Sequence, residues 1–182
     1  MRKNSWVHFT GTLCACGLLG VSLLLGLAST AVEAEDLPRE TVLPLSLAGK
    51  AASAALDKCT QDGYRVSVAV VDRAGILRSF MRADAAGPHT VESSQKKAYT
   101  AASMRGPTAN VAELIAKTPA VQGLQYMNDN ILFLAGGLPI DIAGEVVGGI
   151  GVGGAPGGHL DAACAQAGLD SIGAAPKLQG SK

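Results

Sequence analysis

A short segment of the chain, from His89 to Thr108, concentrates side chains whose chemistry suits a bound ligand. His89 follows Gly87-Pro88 and precedes Thr90, which is a favourable helix N-cap residue. A helix start offers unpaired backbone N–H groups, and imidazole is a common metal ligand, so His89 suits an anion or a metal-bearing ligand. The alternative is a histidine that is simply solvated on a turn.

The predicted helix after His89 carries a second group of candidates. Lys97 and Arg105 are eight positions apart, close to two helical turns, and Tyr99 and Thr100 stand between them. Cations beside an aromatic ring would bind the carboxylates of a planar cofactor. The alternative is a solvated helix face with Tyr99 partly packed.

Other chemical motifs find less support. The segment 149–154 fits the dinucleotide pattern G-x-G-x-x-G, but Ala155-Pro156-Gly157-Gly158 keep the next helix from starting where pyrophosphate would bind. These glycines predict a tight strand and close helix packing instead. His159 also stands at a predicted helix start, but two distant histidines give no local zinc motif.

Composition excludes several classes of protein. The chain has 182 residues, with 15 Lys+Arg against 15 Asp+Glu and 48% hydrophobic residues, which fits one globular domain. A formal net charge of zero without a basic run argues against a nucleic-acid partner.

The N-terminus predicts export. Arg2 and Lys3 precede an apolar stretch from Leu13 to Ala28, which is typical of a secretory signal peptide cut near Ala34. We therefore expect a periplasmic or secreted protein with no stable membrane insertion after cleavage. The alternative is an uncleaved membrane anchor.

Two cysteines remain after that cut, Cys59 and Cys164. Export would place them in an oxidising compartment, so a disulfide is one interpretation. Two separately buried thiols are the other.

Hydrophobic periodicity predicts an α+β fold with a five-stranded antiparallel sheet covered by helices. After a signal peptide (1–34) and an N-terminal linker (35–44), one domain spans 45–173 and a polar tail follows (174–182). Its predicted order is a helix to Asp62, two strands, two helices, three strands and a helix. In numbers, the strands are 66–71, 76–81, 131–134, 138–143 and 146–152, and the later helices are 91–104, 108–117 and 159–172.

Several separate motifs resemble the GlcG/HbpS-like haem-binding family. They are VAVVD (68–72), DAAGPHTVESSQKKAYTA (84–101), GGLPI (136–140), VGGIGVGGA (147–155) and DAACA (161–165), in the expected order. The resemblance implies an α/β sandwich that forms homo-oligomers and binds haem, and in some members degrades it.

The resemblance therefore implies an exported haem-binding protein that stores, senses or protects against haem. A haem-degrading enzyme and a corrinoid or small-acid binding module are the alternatives. The candidate haem contacts are His89, Lys97, Tyr99, Thr100, Arg105 and Thr108, with His89 as the candidate iron ligand. The alternative iron ligand is a weak oxygen donor such as Thr100, Thr108 or Tyr99.

Overall fold

A computed structural model describes residues 39–174, which form four α-helices, one 3₁₀ helix and four strands. The signal-peptide prediction and nearly all of the predicted tail lie outside these residues. The helices are α1 (Leu45–Gln61), α2 (His89–Met104), α3 (Thr108–Lys117) and α4 (Gly158–Ser171), with a 3₁₀ helix at Pro119–Tyr126. The strands are β1 (Ser67–Asp72), β2 (Leu77–Arg82), β3 (Gly137–Ile142) and β4 (Glu145–Gly153).

Helix α1 follows the predicted apolar face. Its buried side chains recur at intervals of three and four residues and are mostly alanines, which allow a neighbouring helix to approach closely. The helix stops where the sequence predicts, because Asp62 caps it and Gly63 adopts a φ of +85° that a side chain would disfavour.

The predicted hairpin between β1 and β2 is confirmed. The strands pair antiparallel, and the Asp72 carboxylate accepts hydrogen bonds from the Ala74 and Ile76 amides, both at 3.0 Å. Gly75 takes the positive φ (+78°) that this turn requires.

The predicted α+β class is confirmed, but the prediction of five strands is wrong. The sheet has four strands in the order β2-β1-β4-β3, all antiparallel, and residues 131–134 form none. Side-chain hydroxyls bind this segment instead of a neighbouring strand. Thr100 Oγ1 accepts from the Leu132 amide at 2.8 Å, and Thr108 Oγ1 donates to the Leu134 carbonyl at 2.6 Å.

The helices cover both faces of the sheet. Helices α1 and α4 pack on one face against Val68, Val70 and Ile150, and α2 packs on the other against Ala69 and Val71. A Cβ at Gly151 would overlap the Ser94 carbonyl of α2, and one at Gly149 would lie 2.9 Å from the Ala102 amide. The glycine-rich segment of β4 therefore permits close packing of α2, as the sequence predicts.

A disulfide joins the two helices on the first face. Cys59 of α1 and Cys164 of α4 are bonded, with their Cα atoms 5.5 Å apart and both residues fully buried. Of the two interpretations that the sequence left open, the structure shows the disulfide.

None of the helices between residues 39 and 174 has the length and apolar character needed to cross a bilayer.

Candidate ligand-binding site

Helix α2 positions most of the predicted site residues, but it does not bring them all together. His89 is its first residue and Arg105 directly follows its last. The two residues are sixteen positions apart, which corresponds to about 24 Å along a helix axis. His89 and Arg105 therefore lie at opposite ends of α2.

The predicted N-cap of α2 is wrong in detail. Thr90 lies inside the first turn of α2, and the N-cap position belongs to Pro88. Thr90 is held there because its hydroxyl donates to the Gly87 carbonyl at 2.6 Å. Helix α2 consequently starts at His89, two residues earlier than predicted, and no side chain caps it.

Lys97 is buried and paired inside the fold. Its Nζ donates to Asp161 Oδ2 at 2.8 Å and to the Val152 carbonyl at 2.9 Å. Asp161 in turn accepts from the Ala155 amide at 3.0 Å. The ammonium charge of Lys97 thus has a carboxylate partner within the chain and ties α2 to the start of α4.

Thr100 and Thr108 are also buried, and their hydroxyls bind backbone groups. Besides the bonds to residues 131–134, Thr100 donates to the Lys96 carbonyl at 2.7 Å and Thr108 accepts from the Gly137 amide at 3.0 Å. Each hydroxyl proton is therefore already donated to a carbonyl.

His89, Tyr99 and Arg105 remain accessible. His89 is exposed and its imidazole lies over Gly87, where an added Cβ would sit 2.6 Å from Cε1. Tyr99 is half-buried, and Arg105 is exposed in the left-handed conformation (φ 52°) that ends α2.

Tyr99 lies in an open groove of about 320 Å³ between α2 and the β1–β2 hairpin. We call it the hairpin groove. The hairpin contributes apolar side chains and α2 contributes polar ones, and the lining residues are Val71, Ala74, Gly75, Ile76, Leu77, Glu92, Gln95, Lys96, Tyr99 and Asn130. One edge of the Tyr99 ring abuts Gly75, since an added Cβ there would lie 2.6 Å from both Cδ2 and Cε2.

His89 belongs to the same side of α2 as the groove. His89, Glu92, Lys96 and Tyr99 follow one another at intervals of three, four and three residues, so they form one stripe along the helix. His89 stands one turn before Glu92, at the end of the stripe that begins α2.

The charges of the groove come from one exposed ion pair. Lys96 Nζ lies 2.7 Å from Glu92 Oε1, and hydrogen bonding and the positive charge of Lys96 together lower the pKa of Glu92. Because the Glu92 side chain is 73% exposed, this pair is weak and an anionic ligand can compete with Glu92 for Lys96.

Lys96 and the hairpin residues line the groove but were not selected from the sequence as candidate contacts. The three-residue spacing of Lys96 and Tyr99 was a usable signal, because it places both on one helix face. Residues 75–77 gave no such signal, because nothing in the local sequence indicates which helix packs beside a hairpin turn.

A metal at this site would have few protein ligands. Within residues 39–174 there is no cluster of three or more His, Cys, Asp or Glu side chains that could hold a metal ion. The groove does fit a flat, largely apolar ligand with acidic groups, because it combines apolar walls, an aromatic ring and one ammonium group.

Comparison with other proteins agrees with this fold. A family model described as "Haem degrading protein HbpS-like" matches residues 43–170. The crystal structure of a double mutant of HbpS from Streptomyces reticuli is 43% identical and superposes with a TM-score of 0.72, covering 80% of this chain and 97% of that one. Protein GlcG of Escherichia coli (strain K12) is 30% identical over 115 residues, which is 62% of this chain and 82% of GlcG.

A more distant structure, a PduOC:heme complex, is 24% identical with a TM-score of 0.69 and covers 75% of this chain and 99% of its own. At that identity it shows a shared fold alone. The family model, however, spans most of the domain from before α1 into α4. This chain is therefore a member of the HbpS-like family.

Proposed function

We propose that this protein binds haem in the hairpin groove. The observation that carries the proposal is that one open groove is lined by apolar side chains, the Tyr99 ring and the Lys96 ammonium group. Membership of a family described as haem-degrading supports haem as the ligand. The groove volume lies at the lower end of the range for ligand sites, which fits a ligand held at one edge.

The groove residues and His89 have distinct roles in this proposal. Ile76, Leu77 and the Tyr99 ring exclude water from the apolar part of the ligand, and Lys96 pairs with a carboxylate. His89 would be the residue that binds the iron, since it is an exposed imidazole at one end of the same stripe. A protein ligand on the iron would shift the Soret band of the porphyrin, which absorption spectroscopy detects.

The test is a titration of the exported, mature protein with hemin. We expect a saturable Soret shift in the wild type and an altered spectrum with weaker binding in His89→Ala. His159→Ala is the matched control, because His159 also lies in the first turn of a helix and its imidazole also lies over a glycine, Gly157. No saturable shift in the wild type would overturn haem binding, and equal spectra for wild type and His89→Ala would overturn the axial role of His89.

Haem degradation is the second candidate function, favoured by the description of the family. Storage, sensing or protection needs only binding, whereas degradation needs a supply of oxygen and electrons. Adding a reductant to the haem-loaded protein in air separates the two. A stable Soret band supports binding alone, and loss of the band with a defined tetrapyrrole product supports degradation.

We further propose that the protein acts outside the cytoplasm. The signal peptide predicted from the N-terminal sequence supports this, and so does the buried disulfide, because disulfides persist mainly in oxidising compartments. Protein recovered from the exported fraction should have lost about the first 34 residues. An intact mass that retains Met1 would contradict the proposal.

Self-association is the final part of the proposal. Four large apolar side chains around α3 and the 3₁₀ helix are well exposed, which favours burial against another copy: Leu114, Tyr126, Met127 and Leu134. Sedimentation of the mature protein as a species larger than the monomer would support this, and a monomer at all concentrations would contradict it.

A further inference from the structure

Tyr99 lines both the hairpin groove and a second, smaller cavity. This cavity, the Arg73 recess, has a volume of about 80 Å³ and is lined by Arg73, Ala74, Gly75, Tyr99 and Ser103. Ala74, Gly75 and Tyr99 line both cavities. The groove and the recess are therefore neighbouring compartments that share one aromatic wall.

Arg73 brings a second positive charge to this region. One of its terminal nitrogens, Nη2, forms an ion pair with Glu145. Its Nε is buried and has no hydrogen-bond partner among residues 39–174. A buried donor without a partner is costly, so an acceptor delivered by a ligand would relieve that cost.

The positions along α2 place Lys96 of the groove and Ser103 of the Arg73 recess on either side of Tyr99. Lys96 precedes Tyr99 by three residues, or about 4.5 Å of helix rise, and Ser103 of the recess follows it by four, or about 6 Å. A molecule with two carboxylates on one edge could thus place one on each side of the ring.

We propose that Arg73 is the second anion-binding residue of the ligand site, so that the two carboxylates of a flat, apolar dicarboxylate straddle Tyr99. Lys96 binds one carboxylate and Arg73 binds the other. This inference rests on the proposed haem-binding function, because haem carries two propionates on the same edge of its ring.

The test compares Arg73→Gln with Glu145→Gln. Both substitutions abolish the same ion pair, but only Arg73→Gln removes the charge from the recess. Both variants and the wild type are titrated with hemin and with hemin dimethyl ester, in which the carboxylates are blocked. The affinities of wild type and Arg73→Gln for hemin and for the ester form a double-mutant cycle, which isolates the free energy of pairing between Arg73 and a carboxylate.

We expect Arg73→Gln to weaken hemin binding by at least about tenfold. Binding of the dimethyl ester should change less than about twofold, and Glu145→Gln should bind both ligands like the wild type. Equal hemin affinity in wild type and Arg73→Gln would overturn the role of Arg73 and leave haem binding intact. If Arg73→Gln and Glu145→Gln lost the same hemin affinity, the cause would be the broken ion pair, and the role of Arg73 would again be overturned. The same conclusion would follow if Arg73→Gln lost as much affinity for the dimethyl ester as for hemin. A wild type that binds neither ligand would overturn both proposals.

Discussion

Lys97 Nζ and Asp161 Oδ2 lie 2.8 Å apart, and each of the two side chains is only 5% exposed. The adjacent Lys96 instead reaches into the hairpin groove, where its pair with Glu92 is exposed. Two neighbouring lysines thus have separate roles, because successive residues of a helix point about 100° apart.

The first prediction contrasts these two lysines. Lys97→Met leaves Asp161 buried without its partner and should lower the free energy of unfolding by about 3–5 kcal/mol. Lys96→Met should cost less than about 1 kcal/mol, because it breaks only a surface pair. Urea unfolding measures both. For hemin affinity we expect Lys96→Met to show a loss that Lys97→Met, if folded, does not share, and the reverse pattern would contradict the assignment.

The second prediction concerns the contact between Gly75 and Tyr99. Alanine at Gly75 should displace the Tyr99 ring, since its Cβ would lie 2.6 Å from two ring carbons. Gly63→Ala is the matched control, because Gly63 also has a positive φ (+85°) but nothing within 4 Å of an added Cβ. Both variants should lose about 1–2 kcal/mol of stability from the backbone conformation. Only Gly75→Ala should weaken hemin binding, and equal affinities would show that the position of Tyr99 does not matter.

How far the sequence predicts this molecule depends on how local each signal is. The alanine spacing of α1 and the Asp72 to Gly75 turn predict their structures correctly, because both signals lie within a few residues. The strand predicted at 131–134 fails because hydroxyls of Thr100 and Thr108, about 30 positions away, bind that segment.

The candidate site shows the same limit. The spacing of residues along α2 identifies the helix that carries most of the proposed ligand contacts. The spacing does not show that Lys97 is buried, because the partner of Lys97, Asp161, is 64 positions away in the sequence. Nor does it place Arg73 behind Tyr99, which requires the packing of the hairpin against α2.

The third prediction concerns the disulfide. It links residues 105 positions apart, and closing a loop of that size is worth about 4–5 kcal/mol in the chain-entropy model. The double variant Cys59→Ala/Cys164→Ala should therefore have a lower free energy of unfolding by roughly that amount in denaturant titrations. A double variant as stable as the oxidised wild type would contradict the prediction.

The fourth prediction is a pH dependence at Glu145. A hydrogen bond from Thr41 and then the Arg73 guanidinium lower the pKa of Glu145 below its usual value of 4.5. As the pH falls, Glu145 therefore takes up its proton in the unfolded chain before it does so in the folded protein. The stabilisation of the fold by ionised Glu145 is complete above about pH 4.5 and is lost as the pH falls through the lowered pKa. Glu145→Gln should show a shallower loss of stability below pH 4.5 than the wild type. Parallel curves would show that Glu145 gains nothing from these partners.

The most direct measurement of the central claim is an NMR map of the mature protein with bound hemin. Ferric haem is paramagnetic and broadens nearby resonances, and zinc protoporphyrin serves as the diamagnetic control. If haem lies in the hairpin groove, the amide signals of Gly75, Lys96 and Tyr99 should be lost, while those of Ala52 and Ala165 across the sheet stay sharp. Broadening centred on Gly157 and His159, or broadening nowhere, would contradict the proposed site.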